Sequence, residues 1–175
     1  RFFYLFQPFA ERVSGVRIGP QENWFNNNVF YWRPQIHGPL DIQTGFTEQY
    51  IDLDKILKNG NPMVILPSPY SLLMLSDVVG YSDKKEAVSN LAEILRAEAQ
   101  YLVSRGIRRI QYDEPAIVVK QSLHSLTKDD LKLLESVMKI CGYVDGATTS
   151  LHTYFGDAEP IIPYLLRLPV DCIGS

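Results

Sequence analysis

From residue 62 onwards, short apolar runs alternate with stretches of helical period, and this restricts the fold more than any other feature of the chain. Residues 62–66 read as an apolar strand closed by Pro67-Ser68-Pro69, and residues 70–75 as the start of a helix. Residues 83–105 predict a long amphipathic helix, because Val88, Leu91, Ala92, Leu95, Ala99, Leu102 and Val103 recur at helical spacing and Gly106 follows. Glu86, Glu93, Arg96, Glu98 and Arg105 fall on its other side, which reads as a solvated face. A strand over 107–112 comes next, then a helix in which Thr127 and Asp130 form a capping box and Leu131, Leu134, Val137, Met138 and Cys141 make the apolar stripe. Residues 147–151 predict a strand, 157–168 a helix with Pro160 and Pro163 in a first turn, and Val170 opens a last strand. Such alternation with short connections requires parallel strands joined by crossovers. The fold class is α/β. Periodicity does not separate an open sheet from a barrel, but no Gly-x-Gly-x-x-Gly or phosphate-loop motif follows any strand, which counts against a dinucleotide fold.

Within that frame, Ile110-Gln111-Tyr112-Asp113-Glu114-Pro115-Ala116 puts two carboxylates where an apolar strand should end. Pro115 lacks a backbone donor and biases Glu114 towards an extended conformation, so the chain leaves the sheet there. The carboxyl ends of parallel strands are where α/β folds bind ligands. Asp113 and Glu114 are therefore site candidates, with pairing to Arg108 or Arg109, or the capping of a turn, as the structural alternative. If the strands are parallel neighbours, His152 and the segment 172–175 end on the same side. Carboxylate, imidazole and thiol are zinc's ligand types, and zinc would ionise a thiol whose ordinary pKa is about 8.5. The spacing is not a metal signature, since Cys-x-x-Cys, His-x-Cys and His-Glu-x-x-His are all absent. Cys141 reads as core, and Cys172 as a small packed hydrophobe. His37 and His124 sit in loops and carry no signal.

Residues 1–60 are less regular. Residues 1–6 suggest an aromatic strand ended by Pro8, and residues 13–18 a second strand. Residues 22–34 carry Trp24, Phe25, Phe30, Tyr31, Trp32 and Arg33 around three consecutive asparagines. Aromatic faces with an Arg and amides suit a flat polar heterocycle. The alternative is that these aromatics pack a long loop onto the body.

The chain has 175 residues, a net charge of −3 and 46% hydrophobic residues, enough for one core. Without a Lys/Arg cluster, nucleic acid is not an expected partner; no apolar run is long enough for a membrane span. Two cysteines make no disulfide framework, so the expected compartment is a reducing cytoplasm. Arg1 at the start, and a last strand cut at residue 175, read as a piece of a longer protein.

The Trp24-to-Pro34 stretch, Ile65-Leu66-Pro67-Ser68-Pro69-Tyr70-Ser71-Leu72-Leu73, Gln111-Tyr112-Asp113-Glu114-Pro115-Ala116, His152-Thr153-Tyr154-Phe155-Gly156-Asp157 and Leu168-Pro169-Val170-Asp171 together resemble cobalamin-independent methionine synthase from about residue 22 onwards. That resemblance implies a methyltransferase of methionine biosynthesis, built on (β/α)8 TIM barrels, that moves methyl from 5-methyltetrahydrofolate to homocysteine thiolate on zinc. A whole barrel needs at least about 200 residues, so residues 1–175 would form a single, partial barrel domain. By position, Asp113 matches the residue that holds the homocysteine amino group and His152 the first zinc ligand, which makes Asp113 the substrate-facing carboxylate, while Glu114 beside Pro115 turns away and shapes the strand exit. The next ligand, a cysteine two residues on, is Tyr154 here, and Cys172 matches no ligand position. Long members carry two barrels, and only the C-terminal one binds zinc and homocysteine; Tyr154-Phe155-Gly156 is closer to the N-terminal type. The implied alternative is a non-catalytic barrel that binds folate through Trp24, Tyr31, Trp32 and Arg33, or docks on a second, catalytic barrel domain or chain. A uroporphyrinogen decarboxylase-like barrel is a weaker third reading.

Overall fold

A computed structural model describes residues 3–23, 30–48 and 52–175. The first element is a helix, α1 (Phe3–Arg12), not the aromatic strand expected there. Phe6, Phe9, Ala10 and Val13 are all buried. Their i, i+3, i+4, i+7 spacing is that of one helical face, and burying it outweighs the hydrogen bond that Pro8 gives up inside the helix. Strands β1 (Val16–Asn23) and β2 (Phe30–Ile36) pair antiparallel, so the predicted second strand is displaced towards higher numbers. Part of the segment read as a long packed loop is therefore strand.

After α2 (Leu53–Lys58) come β3 (Met63–Pro67), α3 (Pro69–Met74) and a two-residue strand, β4 (Asp77–Val78), which joins β2 in parallel to complete a small three-stranded sheet. The long helix α4 (Lys84–Ser104) has Asp83 as N-cap, and Gly106 follows at φ 104°, where glycine turns the chain without strain. Then follow β5 (Arg109–Asp113), α5 (Pro115–Ser122), α6 (Lys128–Cys141) and β6 (Thr148–His152). The Thr127–Asp130 capping box is formed as predicted. In place of the helix expected over 157–168 there is a 3-10 turn (Glu159–Ile161) and a one-turn helix, α7 (Ile162–Leu165), before β7 (Cys172–Gly174).

Strands β3, β5, β6 and β7 form one parallel sheet in that order. Val64, Leu66, Ile110, Tyr112, Thr149 and Leu151 are buried, and the Tyr112 hydroxyl donates to the Cys141 carbonyl of α6 at 2.8 Å, which fixes this as the helix-covered face. By the strand period of two, Met63, Ile65, Arg109, Gln111, Asp113, Thr148, Ser150, His152 and Cys172 belong to the opposite face. On that face Met63 and Ile65 are 39% and 43% exposed. Cys172 is exposed too, not packed as a small hydrophobe, whereas Cys141 is enclosed and burial pushes its thiol pKa up. Among the described residues no helix is long and apolar enough to cross a membrane.

The α4 face read as solvated contains one exception. Glu98 is completely buried and accepts hydrogen bonds from the Gly45 N–H, the Thr47 N–H at 3.0 Å and the Thr47 hydroxyl. A second polar anchor joins α3 to α6: the buried Tyr70 hydroxyl donates to Asp130 at 2.8 Å, and Lys120 from α5 reaches the same oxygen at 2.6 Å. Burial alone would raise the Asp130 pKa, but bonds from Lys120, Thr127 and Tyr70 outweigh it and hold this carboxyl at about 2.

Candidate site at the carboxyl ends of the parallel strands

The sheet register aligns Pro67, Asp113, His152 and Gly174 in one row at the strand ends. The row is locked by backbone: Ser68 N–H donates to the Asp113 carbonyl at 2.9 Å, Glu114 N–H to the His152 carbonyl at 2.8 Å, and Thr153 N–H to the Gly174 carbonyl at 2.8 Å. The two adjacent carboxylates point into different environments. Glu114 is wholly buried and is the N-cap of α5, accepting from the Ile117 N–H at 3.0 Å. It also accepts from the Ser71 hydroxyl at 2.7 Å, the Ser71 N–H at 3.0 Å and the Ser68 hydroxyl. Burial raises its pKa above the ordinary carboxylate range, and those bonds oppose the rise. Glu114 is therefore a joint between β3, α3 and α5, out of a ligand's reach.

Asp113 is 9% exposed and shares its face with Gln111, two residues back on the same strand. The Gln111 amide donates to Oδ1 at 2.7 Å, and the Tyr154 hydroxyl donates to Oδ2 at 3.2 Å. Burial, then the Asp113 charge, pushes the Tyr154 pKa well up, so the phenol keeps its proton. Tyr154 is held by its neighbours. Its ring lies 5.8 Å from His152 and meets Phe155 edge-on at 4.8 Å. Phe155, three residues beyond β6, has φ 70°, which for a non-glycine residue costs about 1–2 kcal/mol. Gly156 then passes so close to α5 that an added Cβ would lie 2.3 Å from Ser122 Oγ. Gly174 serves His152 in the same way: a Cβ there would sit 2.6 Å from the imidazole Nδ1.

A zinc ion needs several His, Cys, Asp or Glu donors converging on one point. Among the described residues no group of three or more is placed to do so. The position two beyond His152 offers a phenol already committed to Asp113, and Cys172 aligns with Ser150, two residues before His152 on β6. The described residues do not fit zinc.

The aromatic segment splits across β2. Tyr31 turns inwards, 2% exposed, packs 5.9 Å from Phe6 and donates to the Leu75 carbonyl at 3.2 Å, so it offers a ligand no stacking face. Phe30 and Trp32 turn outwards, 55% and 43% exposed. Arg33 binds Asp77 and Glu22, each at 2.8 Å. Trp24 lies outside the described residues. Tyr31, Trp32 and Arg33 belong to the small sheet and Asp113 to the large one, so the expected single aromatic surface is not what β2 presents. Gln111 and the Ser68–Ser71 pair were not singled out from sequence; Gln111 was detectable, since strand period places it beside Asp113.

The profile of the cobalamin-independent synthase N-terminal domain matches residues 18–175. The chain belongs to that family. It is 28% identical over 177 residues to a 5-methyltetrahydropteroyltriglutamate–homocysteine methyltransferase of Streptococcus gordonii, covering 99% of this chain and 23% of that enzyme. It is 26% identical over 176 residues to the Lactococcus lactis enzyme of the same name, covering 98% of this chain and 22% of that enzyme. This family member thus spans under a quarter of the length of those relatives. A B12-independent methionine synthase from Shewanella, solved with selenomethionine, superposes with a TM-score of 0.71 at 21% identity over 97% of this chain and 53% of that one. At that identity the superposition speaks for the fold.

Proposed function

We propose that this chain is part of an N-terminal-type (β/α)8 barrel of a methionine synthase that moves methyl from 5-methyltetrahydrofolate to homocysteine. In this reading the barrel binds and docks, while a second barrel domain or chain holds the zinc. The observation that carries it is the Tyr154 phenol on Asp113, where the zinc-binding barrel has a thiolate. The open face of the parallel sheet, with Ile65, Gln111 and Ser150 across its middle, is the lumen side of the barrel. Trp24, Trp32 and Arg33 contribute to folate binding there.

His152, in the Asp113 row, favours the competing reading that this barrel is itself catalytic, with His152 on zinc and Asp113, steadied by Gln111 and Tyr154, on the substrate amine. Elemental analysis of the full-length protein decides between them: under our proposal His152→Ala leaves the zinc content unchanged, whereas loss of one equivalent would sink it. In calorimetry with methionine, the competing reading expects Asp113→Asn to weaken binding by about tenfold, the size expected when a charge-assisted contact is lost, and our proposal expects no change. Unchanged affinity would remove Asp113 from the substrate site. A reduced folate at millimolar concentration should change the fluorescence of Trp32 in the Trp24→Phe background; a flat response would return the β2 aromatics to a packing role.

A further inference from the structure

A cavity of about 300 Å³ lies between α6 and α7, lined by neither Asp113 nor the β2 aromatics. Its floor is apolar: Leu134 and Leu165 are each 1% exposed and Leu168 is 7% exposed, with the partly buried Leu131 beside them. Its rim is cationic. Lys128 and Lys132 stand one turn apart on α6, and Arg167 lines the cavity from the α7 side. The Arg167 guanidinium is held in place, 4.8 Å above the Tyr164 ring, while its Nε donates to the Pro163 carbonyl at 3.0 Å. A planar guanidinium held this way suits a carboxylate.

The one acidic residue lining this cavity, Glu135, is engaged by Lys139 at 2.7 Å; that bond, with a smaller effect of Arg167, holds its carboxyl below the ordinary range. Lys132 has an exposed contact with Asp129 at 3.5 Å, a kind of pair worth little in water. Three cations around an apolar floor reverse the local charge of a chain whose net charge is −3. A cavity of this size is at the small end of those that hold organic ligands. We propose that the α6–α7 cavity binds a small amphiphilic carboxylate, its apolar tail on the leucines and its head between the α6 lysines and Arg167.

The test is calorimetry with octanoate against the full chain at low ionic strength, with acetate and octan-1-ol as partial ligands. Octanoate should bind saturably with Kd on the order of 1 mM, the range expected for a ligand of about ten heavy atoms. Acetate and octan-1-ol, each lacking one half of the recognition, should bind at least about tenfold more weakly. The double variant Lys132→Glu/Arg167→Glu changes two exposed side chains and should weaken octanoate binding at least about tenfold without altering the circular dichroism spectrum. Raising NaCl to about 0.5 M should weaken binding to the unaltered chain through screening alone. Affinity that is indifferent to the double substitution or to salt, or equal for octanoate and acetate, would overturn the proposal.

Discussion

Replacing Glu114 by alanine is expected to lower the free energy of unfolding by about 3 kcal/mol, one of the largest effects available to a single substitution here. The carboxylate gathers four donors from three places in the chain: the Ser68 hydroxyl before α3, the Ser71 hydroxyl and N–H inside it, and the Ile117 N–H in the first turn of α5. Alanine leaves the Ile117 N–H without its cap, and the Ser71 N–H falls back on the Ser68 hydroxyl at 3.4 Å. A buried donor left unsatisfied costs about 1–3 kcal/mol and a lost N-cap about 1 kcal/mol. At roughly 2–4 °C per kcal/mol for a chain of this length, the melting temperature should fall by about 6–12 °C. A fall under 2 °C would mean that the cage is not maintained in solution.

Glu114→Gln separates charge from shape. Because burial raises the folded-state pKa of Glu114 above its unfolded value, the folded protein holds this proton more tightly than the unfolded chain does. The stabilisation from the protonated form is complete below the unfolded pKa, about 4.3 for a glutamate, and is lost as pH rises through the raised folded value. The stability gap between the native chain and Glu114→Gln should therefore narrow as pH rises from about 4.3 towards neutrality. Denaturant titrations across that interval measure it, and a gap that widens would show that the cage favours the charged form.

The parallel sheet was legible because its strands lie between prolines or glycines and alternate with helices, two of which, α4 and α6, start at the readable caps Asp83 and Thr127. From parallel register alone, Asp113 and His152 had to share a row. The division of labour between Asp113 and Glu114 followed from Pro115, which starts α5 and leaves Glu114 as its cap. What escaped depends on tertiary context. The Tyr154–Asp113 bond is made from the loop after β6, beside a left-handed Phe155, and no spacing rule announces that conformation for phenylalanine. The helix α1 is masked by Pro8, a residue that usually ends a helix, although Phe6, Phe9 and Val13 hold helical spacing around it. In β2 the density of aromatics suggested one surface, whereas strand alternation sends Tyr31 inwards and Trp32 outwards.

Glu98 shows what a helical wheel omits, and it carries the second large effect. Polar residues on α4 were grouped as one solvated face, but a loop can cover part of such a face if the helix supplies acceptors for its N–H groups. Residues 45–48 do this: Gly45 and Thr47 donate to Glu98, while Glu48 accepts from Tyr101 at 2.7 Å and pairs with Arg105, one and two turns further along α4. Burial raises the Glu98 pKa, with the Thr47 and Gly45 bonds opposing the rise, so this carboxylate too is held at a desolvation cost that the loop donors offset. Glu98→Ala should lower the local stability of the 45–48 loop by about 2–3 kcal/mol and global stability by under about 1 kcal/mol, since a released loop can satisfy its donors with water. The loss should concentrate at the loop. Amide exchange at Gly45 and Thr47 should accelerate by about tenfold to a hundredfold, while Ile110 and Tyr112 in β5 slow or quicken only with global stability. Uniform acceleration across loop and sheet would identify Glu98 as a core residue whose loss unfolds the whole chain, and protection at Thr47 that survives the substitution would show that the Glu48 contacts hold the loop unaided.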